Sequence, residues 1–546
     1  MSGDDARSFN LIDQPWILAR AVDGHVREWS LTELVEHAHE LQCLVGDVPT
    51  QVFALTRLLL AVIHRATGGP ADIDAWERLW TASTLPVEPI REYLNRHRSR
   101  FDLLHPDTPF YQVADLRTAK GEMSDLSKLI ADVPNGKPFF SSRPSPHVSL
   151  TFAEAARWVV HCQAFDPSGI KSGAVGDPRA KNGKGYPIGI GWAGLLGGVL
   201  AEGATLRETL LLNLLTADFA DLAQWRDRDA PAWERPPNGP APDFADDDTE
   251  RAPDGPLDLY TWQSRRIRLF WCGNRVTGVS VCNGDRLTPQ NRHHAEPLTG
   301  WRRSQAQEKK LRLPTVYMPR EHEPQRAIWR GLQSLLPGSA GTQGEQAAPG
   351  LAPMVLDWIG YLTENVVEPD HPVHLRTIGM TYGSQSSVTD EITDDALALR
   401  AVLLSRDATP LVGVAIACVT AADKAARALG TLAGTLATAR GGEPDGPRTR
   451  ATELAYAELD TLFRRWLAEL ASDTEPSAAQ AAWHRQVHGV ILPLGQDEVA
   501  RAPMSALVGH MANNRLVTSA HAEQRFRRDL YAAVPLAYPD RADHNE

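Results

Sequence analysis

The sequence predicts an α+β N-terminal domain over residues 1–400, followed by an all-α C-terminal four-helix bundle over 401–546. Three observations carry this expectation. WILARAV (16–22) and VREWSL (26–31) are short apolar runs on either side of Asp23-Gly24, the pattern of a β-hairpin. Beyond residue 405 the composition turns to Ala and Leu at helical spacing and keeps that character over four segments with short connections. A chain of 546 residues is also too long for one core.

The elements follow in order. SLTELVEHAHEL (30–41) carries a Ser N-cap and Glu33 at the third helical position, so it predicts a capped helix. VFALTRLLLAVIHRATG (52–68) is a strongly apolar helix stopped by Gly68-Gly69, and 72–104 continues as amphipathic helix. GWAGLLGGVLA (191–201) reads as a buried turn and helix, too short and glycine-rich to cross a membrane. Residues 226–256 are rich in Pro, Asp and Glu and read as a surface excursion or linker, and 337–350 as a second exposed insertion. RRIRLFWCG (265–273) and VTGVSVCNG (276–284) are strand-like, and LRTIGMTYGSQSSVTDEI (375–392) reads as strand, turn, strand. The bundle helices are 410–439, the segment carrying Leu459, Leu462, Phe463, Trp466, Leu467 and Leu470 on one face, 477–492, and a final stretch near 499–534.

Composition excludes several function classes. The chain is 42% hydrophobic and 23% charged, with net charge −12, so any contact with phosphate must be local or arranged by a partner. Five scattered cysteines form no CxxC pair, which argues against a thiolate metal site and for a reduced, cytoplasmic setting. The polar N-terminus is no secretory signal, and no apolar run approaches a membrane span, so no membrane partner is expected. GxSxG, HExxH and GxxxxGK[ST] are absent. His37 and His39 fall on different helix faces, and His293-His294 is expected at the surface.

Three stretches stand out. FDPSGIKSGAVGDPRAKNGKGYPIG (165–189) is glycine-rich and carries Lys171, Arg179, Lys181 and Lys184. Glycine lets a backbone approach a ligand closely, and bare N–H groups can donate to phosphate or base edges; a solvated loop is the plainer alternative. KPFFSSRPSPH (137–147) sets Phe139 and Phe140 between Lys137 and Arg143, either to stack on bases or to anchor the loop in the core. The tip Gly383-Ser384-Gln385-Ser386-Ser387 is small and polar, an ordinary hairpin turn taken alone.

Together with FNLIDQPWILARAVDGHVREWSLTEL (9–34), which contains L-x-D-x-P-W-I, HPDTPFYQ (105–112), GIKSG (169–173) and the helical C-terminus, these stretches resemble the large subunit, CasA type, of the type I-E CRISPR Cascade complex. The resemblance runs through most of the chain. It implies a non-catalytic subunit of an RNA-guided DNA surveillance assembly with no cofactor; some members carry two CxxC pairs that could hold zinc, and this chain lacks them, so no metal is expected. Guide pairing reads the target, while the protein reads a short flanking motif, the PAM. Its implied partners are double-stranded target DNA, crRNA, the other Cascade subunits and a recruited helicase-nuclease.

The resemblance also implies site residues. Ser168, Gly169, Lys171, Ser172 and Gly173 correspond to a glycine loop in the minor groove. Ser384, Gln385 and Ser386 correspond to a wedge that holds the first target pair apart. Phe139 and Phe140, with Arg143 beside them, would face the RNA 5′ handle and the PAM region. The family's lysine finger has no lysine counterpart in CNGDRLTPQNR (282–292), which leaves Asn283, Arg286 and Arg292 as candidates. Arg464, Arg465, Arg525, Arg527 and Arg528 form either a DNA-guiding face of the bundle or a solvated one. A scaffold protein that reads no DNA is the alternative function.

Overall fold

The computed structural model describes residues 7–119, 121, 123–131, 149–225, 227–242, 251–336, 350–512 and 514–538. The chain divides into two compact units. The first comprises 1–325, 343–366 and 374–396; the second comprises 326–342, 367–373 and 397–546.

The first unit mixes helix and sheet. Strands β1 (Ile17–Ala21) and β2 (Val26–Trp29) pair antiparallel as the sequence predicts, with Gly24 at φ +92° in the turn. Ser30 and Glu33 then form a reciprocal capping box on helix α1 (Leu31–Glu36). The expected continuation of this helix to residue 41 fails. His37 ends it, and Leu41–Leu44 returns as β3 against β1, with Ala19 opposite Leu44. A sheet edge 20 residues upstream outweighs local helical spacing.

Helix α2 (Pro49–Thr67) is buried on nearly every face and ends at Gly68 in the left-handed region. A helix apolar all round belongs inside. It is followed by α3 (Ile73–Thr81) and α4 (Val87–Arg96), and later by α5 (Phe152–Phe165), which packs on α2. His161 on α5 is fully buried and hydrogen-bonded to Thr50, and burial pushes its imidazole down to about 3. The unfolded chain therefore binds a proton here below the ordinary value near 6.5, and the folded chain does not. This one group removes about 1.4 kcal/mol of stability per pH unit as pH falls from about 6.5 towards 3. The loss of thermal stability between about pH 6.5 and 4.5 should be shallower in His161→Gln, measured by pH-dependent melting.

A two-stranded ribbon of β4 (Lys171–Ser172) and β5 (Lys184–Gly185) precedes β6 (Gly198–Glu202). The stretch 191–201, expected as turn and helix, is a 3₁₀ turn at Trp192–Leu195 followed by β6. The reason is close approach: a Cβ on Gly198 would lie 2.7 Å from the Phe53 ring, so the glycine lets the strand rest directly on α2. Helices α6 (Leu206–Leu212) and α7 (Pro256–Tyr260) follow. Between them, residues 227–242 are not the loose excursion that composition predicts. Trp233 is buried and donates to the Tyr93 hydroxyl at 2.6 Å, while Glu234 accepts from Tyr93 and Arg65. Residues 243–250 lie outside the described set.

Strands β7 (Arg265–Cys272) and β8 (Arg275–Asn283) form the expected hairpin. The small pair β9 (Trp301–Arg303) and β10 (Tyr317–Pro319) flanks α8 (Gln305–Leu311). His293 is half-buried rather than at the surface. Its ring sits 4.8 Å from that of Tyr317, and burial lowers its imidazole to about 4. After α9 (Met354–Asn365) come β11 (Pro372–Tyr382) and β12 (Thr389–Arg400), and β11 lies between β12 and β6.

The second unit is helical. Its long helices are α10 (Thr409–Ala439), α11 (Asp445–Glu469), α12 (Pro476–Ala500) and α14 (Ser519–Ala533), with α13 (Met504–Val508) and the hairpin β13 (His510–Ala512) and β14 (Arg515–Val517) before the last. The sequence reading thus placed four long helices but ended the third at 492. Pro493 sits exposed inside α12 instead of ending it. Residues 406–439 are, by length and composition, long and apolar enough to cross a membrane, contrary to the sequence expectation. In the structure α10 packs against α11, α12 and α14. Its small residues permit this: a Cβ on Gly430 would collide with the Thr452 side chain on α11. Trp483 donates to the Cys418 carbonyl at 3.0 Å and meets Phe463 edge-on and Trp466 at a tilt, closing the interior.

Candidate nucleic-acid interface

The glycine-rich loop begins where α5 stops. Asp166, the C-cap residue, accepts from Arg265 Nε at 2.5 Å and pairs with Lys171 Nζ at 2.5 Å. Arg265 is 2% exposed, yet its guanidinium makes five hydrogen bonds. Besides the Asp166 carboxylate it donates to the carbonyls of Asp166, Pro167, Gly189 and Ser264. One buried side chain on β7 therefore grips both ends of the loop, residues 166–167 and 189. The planar fork of arginine is suited to such a multidentate grip.

Within the loop, Lys171 pairs with Gly185 and Ser172 with Lys184. The tip Lys181-Asn182-Gly183-Lys184 is a tight turn with Asn182 at φ +52° and Gly183 at φ +71°. Asn-Gly with both central residues at positive φ is the chemistry of a type I′ turn. The ribbon is tied down around its base. Val175 N donates to Arg117 O at 2.8 Å, Arg179 spans Asp177 and the Gly284 carbonyl, and Asn283 donates to Tyr186 O at 2.6 Å. A Cβ on Gly173 would lie 2.9 Å from the Ala180 Cβ, so this glycine serves packing. Gly169, at φ +129°, serves conformation, since side-chain-bearing residues rarely adopt that backbone.

The second element is the β11–β12 tip. Tyr382 at the end of β11 donates its hydroxyl to Phe165 O at 2.7 Å, one residue before the glycine loop starts. Gly383 N bonds Val388 O at 3.0 Å, and Ser387 Oγ donates to Ser384 O at 2.9 Å. Gln385 and Ser386 both sit at positive φ, +55° and +54°. Two consecutive non-glycine residues in that region are uncommon and concentrate at functional sites. Gln385 is exposed, and its amide has no hydrogen-bond partner among the described residues. A Cβ on Gly169 would lie 3.6 Å from the Ser387 Cβ. The glycine loop and the hairpin tip, more than 200 residues apart in sequence, thus lie side by side, with the Tyr382–Phe165 hydrogen bond between their bases.

The sequence-predicted residues distribute as follows. Ser168, Gly169, Ser384, Gln385 and Ser386 share one solvent-reaching ridge. Lys171 belongs to the same ribbon but is ion-paired and 14% exposed. Asn283 is 4% exposed beneath the ribbon, where it holds Tyr186 in place. Arg286 is exposed, and Arg292 donates to Thr288 O at 3.2 Å. Phe139, Phe140, Arg143 and Lys137 lie outside the described residues. In the second unit Arg465 is exposed, Arg464 pairs with Asp460, Arg527 with Glu523, and Arg525 and Arg528 share Asp529. No group of three metal-ligating side chains occurs among the described residues.

Sequence reasoning missed Asp166, Arg265 and Tyr382, which do the positioning. Arg265-Arg266 opening an apolar strand was the available signal, because adjacent arginines in a buried hairpin need acceptors. Nothing local marked Tyr382.

An α+β unit with a glycine loop beside an amide-tipped hairpin, followed in the chain by a helical unit, defines the class by its loops and its two-unit order. The chain belongs to the family described as CRISPR-associated protein Cse1 (CRISPR_cse1), whose profile matches residues 10–494. It is 33% identical over 339 residues to the CRISPR-associated protein CasA/Cse1 of Thermus thermophilus, a match that spans 61% of this chain and 61% of that relative's length. Among solved structures it is similar to Thermobifida fusca Cse1, at TM-score 0.91 and 48% identity over 98% of this chain and 99% of that one. It is also similar to Cse1 from Acidimicrobium ferrooxidans, at TM-score 0.81 and 32% identity over 97% of this chain and 99% of that one.

Proposed function

We propose that this chain is the large, non-catalytic subunit of a type I-E Cascade surveillance complex, acting in the cytoplasm with crRNA and the other Cascade subunits. It reads the PAM in double-stranded target DNA from the minor groove, begins duplex opening and recruits a helicase-nuclease. The observation that carries this reading is the close approach of Gly169 and Ser387, only a side-chain's width apart, which sets a bare main chain beside a tip with an exposed amide.

The physics supports the assignment. The minor groove is narrow and offers a degenerate donor–acceptor pattern, so backbone at Gly169 enters where a bulky side chain does not. Opening the junction costs a few kcal/mol per unstacked step, which guide pairing and backbone contacts offset. Gln385 carries donor and acceptor without charge, so it replaces lost base contacts without demanding one sequence. The four long helices of the second unit are read as a four-helix bundle. Their exposed arginines are largely paired, which tempers their pull on DNA.

The test uses the assembled complex and a PAM-bearing duplex with a fluorescent base at the first target position. Gln385→Ala should bind the duplex and open it more slowly. Gly169→Asp should weaken binding itself, because it strains the backbone and sets a carboxylate against phosphate. Wild-type opening by both variants rejects the PAM-reading role and favours a scaffold.

A further inference from the structure

We propose that Lys181 and Lys184, paired across the ribbon tip, form a phosphate clamp for one strand of a nucleic-acid backbone. The inference rests on the proposed function, and it moves the cationic contact of the loop from Lys171 to the tip.

Two of the loop's four cations are already engaged within the protein. Lys171 is bound to Asp166, and Arg179 is bound to Asp177 and to the Gly284 carbonyl. Both hold the loop in shape, and their charge is compensated within the protein. Lys181 and Lys184 are exposed, and neither has an ion-pair partner among the described residues.

Lys181 N donates to Lys184 O at 2.9 Å, and Lys184 N donates back to Lys181 O at 3.0 Å. The two residues are therefore a directly opposed antiparallel pair, whose side chains leave the ribbon on the same face. Like charges directly opposite each other destabilise a hairpin. Here the arrangement is held in a two-residue turn that fixes its register, with Asn182 and Gly183 both at positive φ. A fold that wanted only a turn needs Asn-Gly and not the flanking pair of ammonium groups. An anion between them turns the repulsion into attraction, and a phosphodiester has the size and the two free oxygens to meet both.

The ribbon also joins this tip to the ridge. Ser172 pairs with Lys184, two residues along from Ile170, which follows Gly169. A strand tracked by the clamp therefore passes alongside Gly169 and the neighbouring Ser387. Phosphate contact positions without reading sequence, so the clamp would set register and leave PAM choice to the ridge.

The experiment measures duplex affinity of the assembled complex against salt for wild type and for Lys181→Gln with Lys184→Gln, together with the melting temperature of the free chain. Loss of two phosphate contacts should lower the slope of log affinity against log salt by about 1.8, shrinking the affinity ratio between roughly 50 and 200 mM salt about tenfold. Discrimination between PAM sequences should be unchanged, and the melting temperature should be unchanged or higher. An unchanged slope overturns the clamp, whether or not the melting temperature falls; a fall would give the lysines a structural role. Gly169→Asp and Gln385→Ala run in parallel. If they lose opening while the lysine variant keeps its slope, the clamp fails and the proposed function stands. If they behave as wild type, the proposed function fails and the slope alone judges the clamp.

Discussion

Arg265→Met is expected to lower the unfolding free energy of the chain by about 3–5 kcal/mol, the range for breaking a buried ion pair from one side. The guanidinium is enclosed, and the Asp166 carboxylate and four carbonyls lose their donor together, those of Asp166 and Ser264 on buried residues. Lys171 remains beside Asp166, so the carboxylate keeps one partner. The carbonyls of Pro167 and Gly189, at the two ends of the loop, keep none of what Arg265 supplied. Urea unfolding should show the loss in midpoint. Hydrogen exchange should localise it, with faster exchange over 166–189 and little change in the β1–β2 hairpin. Arg265→Lys should recover only part of the stability, because an ammonium cannot span five acceptors arranged for a planar fork. If exchange over 166–189 stays at the wild-type rate, the loop is held by its ribbon contacts and not by Arg265.

Glu296→Gln is expected to cost a similar amount, about 3–5 kcal/mol, through a different network. Arg57 on α2 and Glu296 are both almost fully enclosed and meet bidentately, with both N–O distances at 2.8 Å. Glu296 also accepts from Trp192 Nε1 at 2.7 Å and from Leu298 N at 3.2 Å. The isosteric amide preserves shape but leaves the guanidinium without a counter-charge in a site closed to water. It also turns an acceptor into a donor facing other donors. Arg57→Met with Glu296→Leu should cost well below the sum of the two single changes, since neither charge is then stranded. It should still cost about 1–3 kcal/mol for each of Trp192 and Leu298, whose N–H groups lose their acceptor. A double-mutant cycle by urea unfolding measures the coupling, and strict additivity would show that the pair does not act as a unit.

Both networks bear on what could be seen in the sequence. The capping box at Ser30 and Glu33, the stop at Gly68 and the turn at Asp23-Gly24 were legible because caps and turns are settled within a few residues. The long helices of the second unit were legible for the same reason, since an apolar face at helical spacing is a local pattern. Local pattern misled where a distant partner competed. Residues 41–44 joined a strand already laid down at β1, and Gly198 became a strand resting on Phe53. Residues 227–242, rich in proline and charge, became an anchored strap because Tyr93 and Arg65 offered Trp233 and Glu234 their hydrogen bonds.

The sequence by itself determined the caps, the tight turns, the long helices, the presence of a glycine-rich basic loop, and an amide at the tip of a distant hairpin. Only the tertiary structure decided that these two lie side by side, and which of the loop's cations remain available. Backbone preference and turn chemistry act over a handful of residues, whereas a buried charge takes whichever partner the fold brings within reach. Asp166 is claimed by Arg265 from 99 residues away and by Lys171 from five, and that choice leaves Lys181 and Lys184 facing solvent.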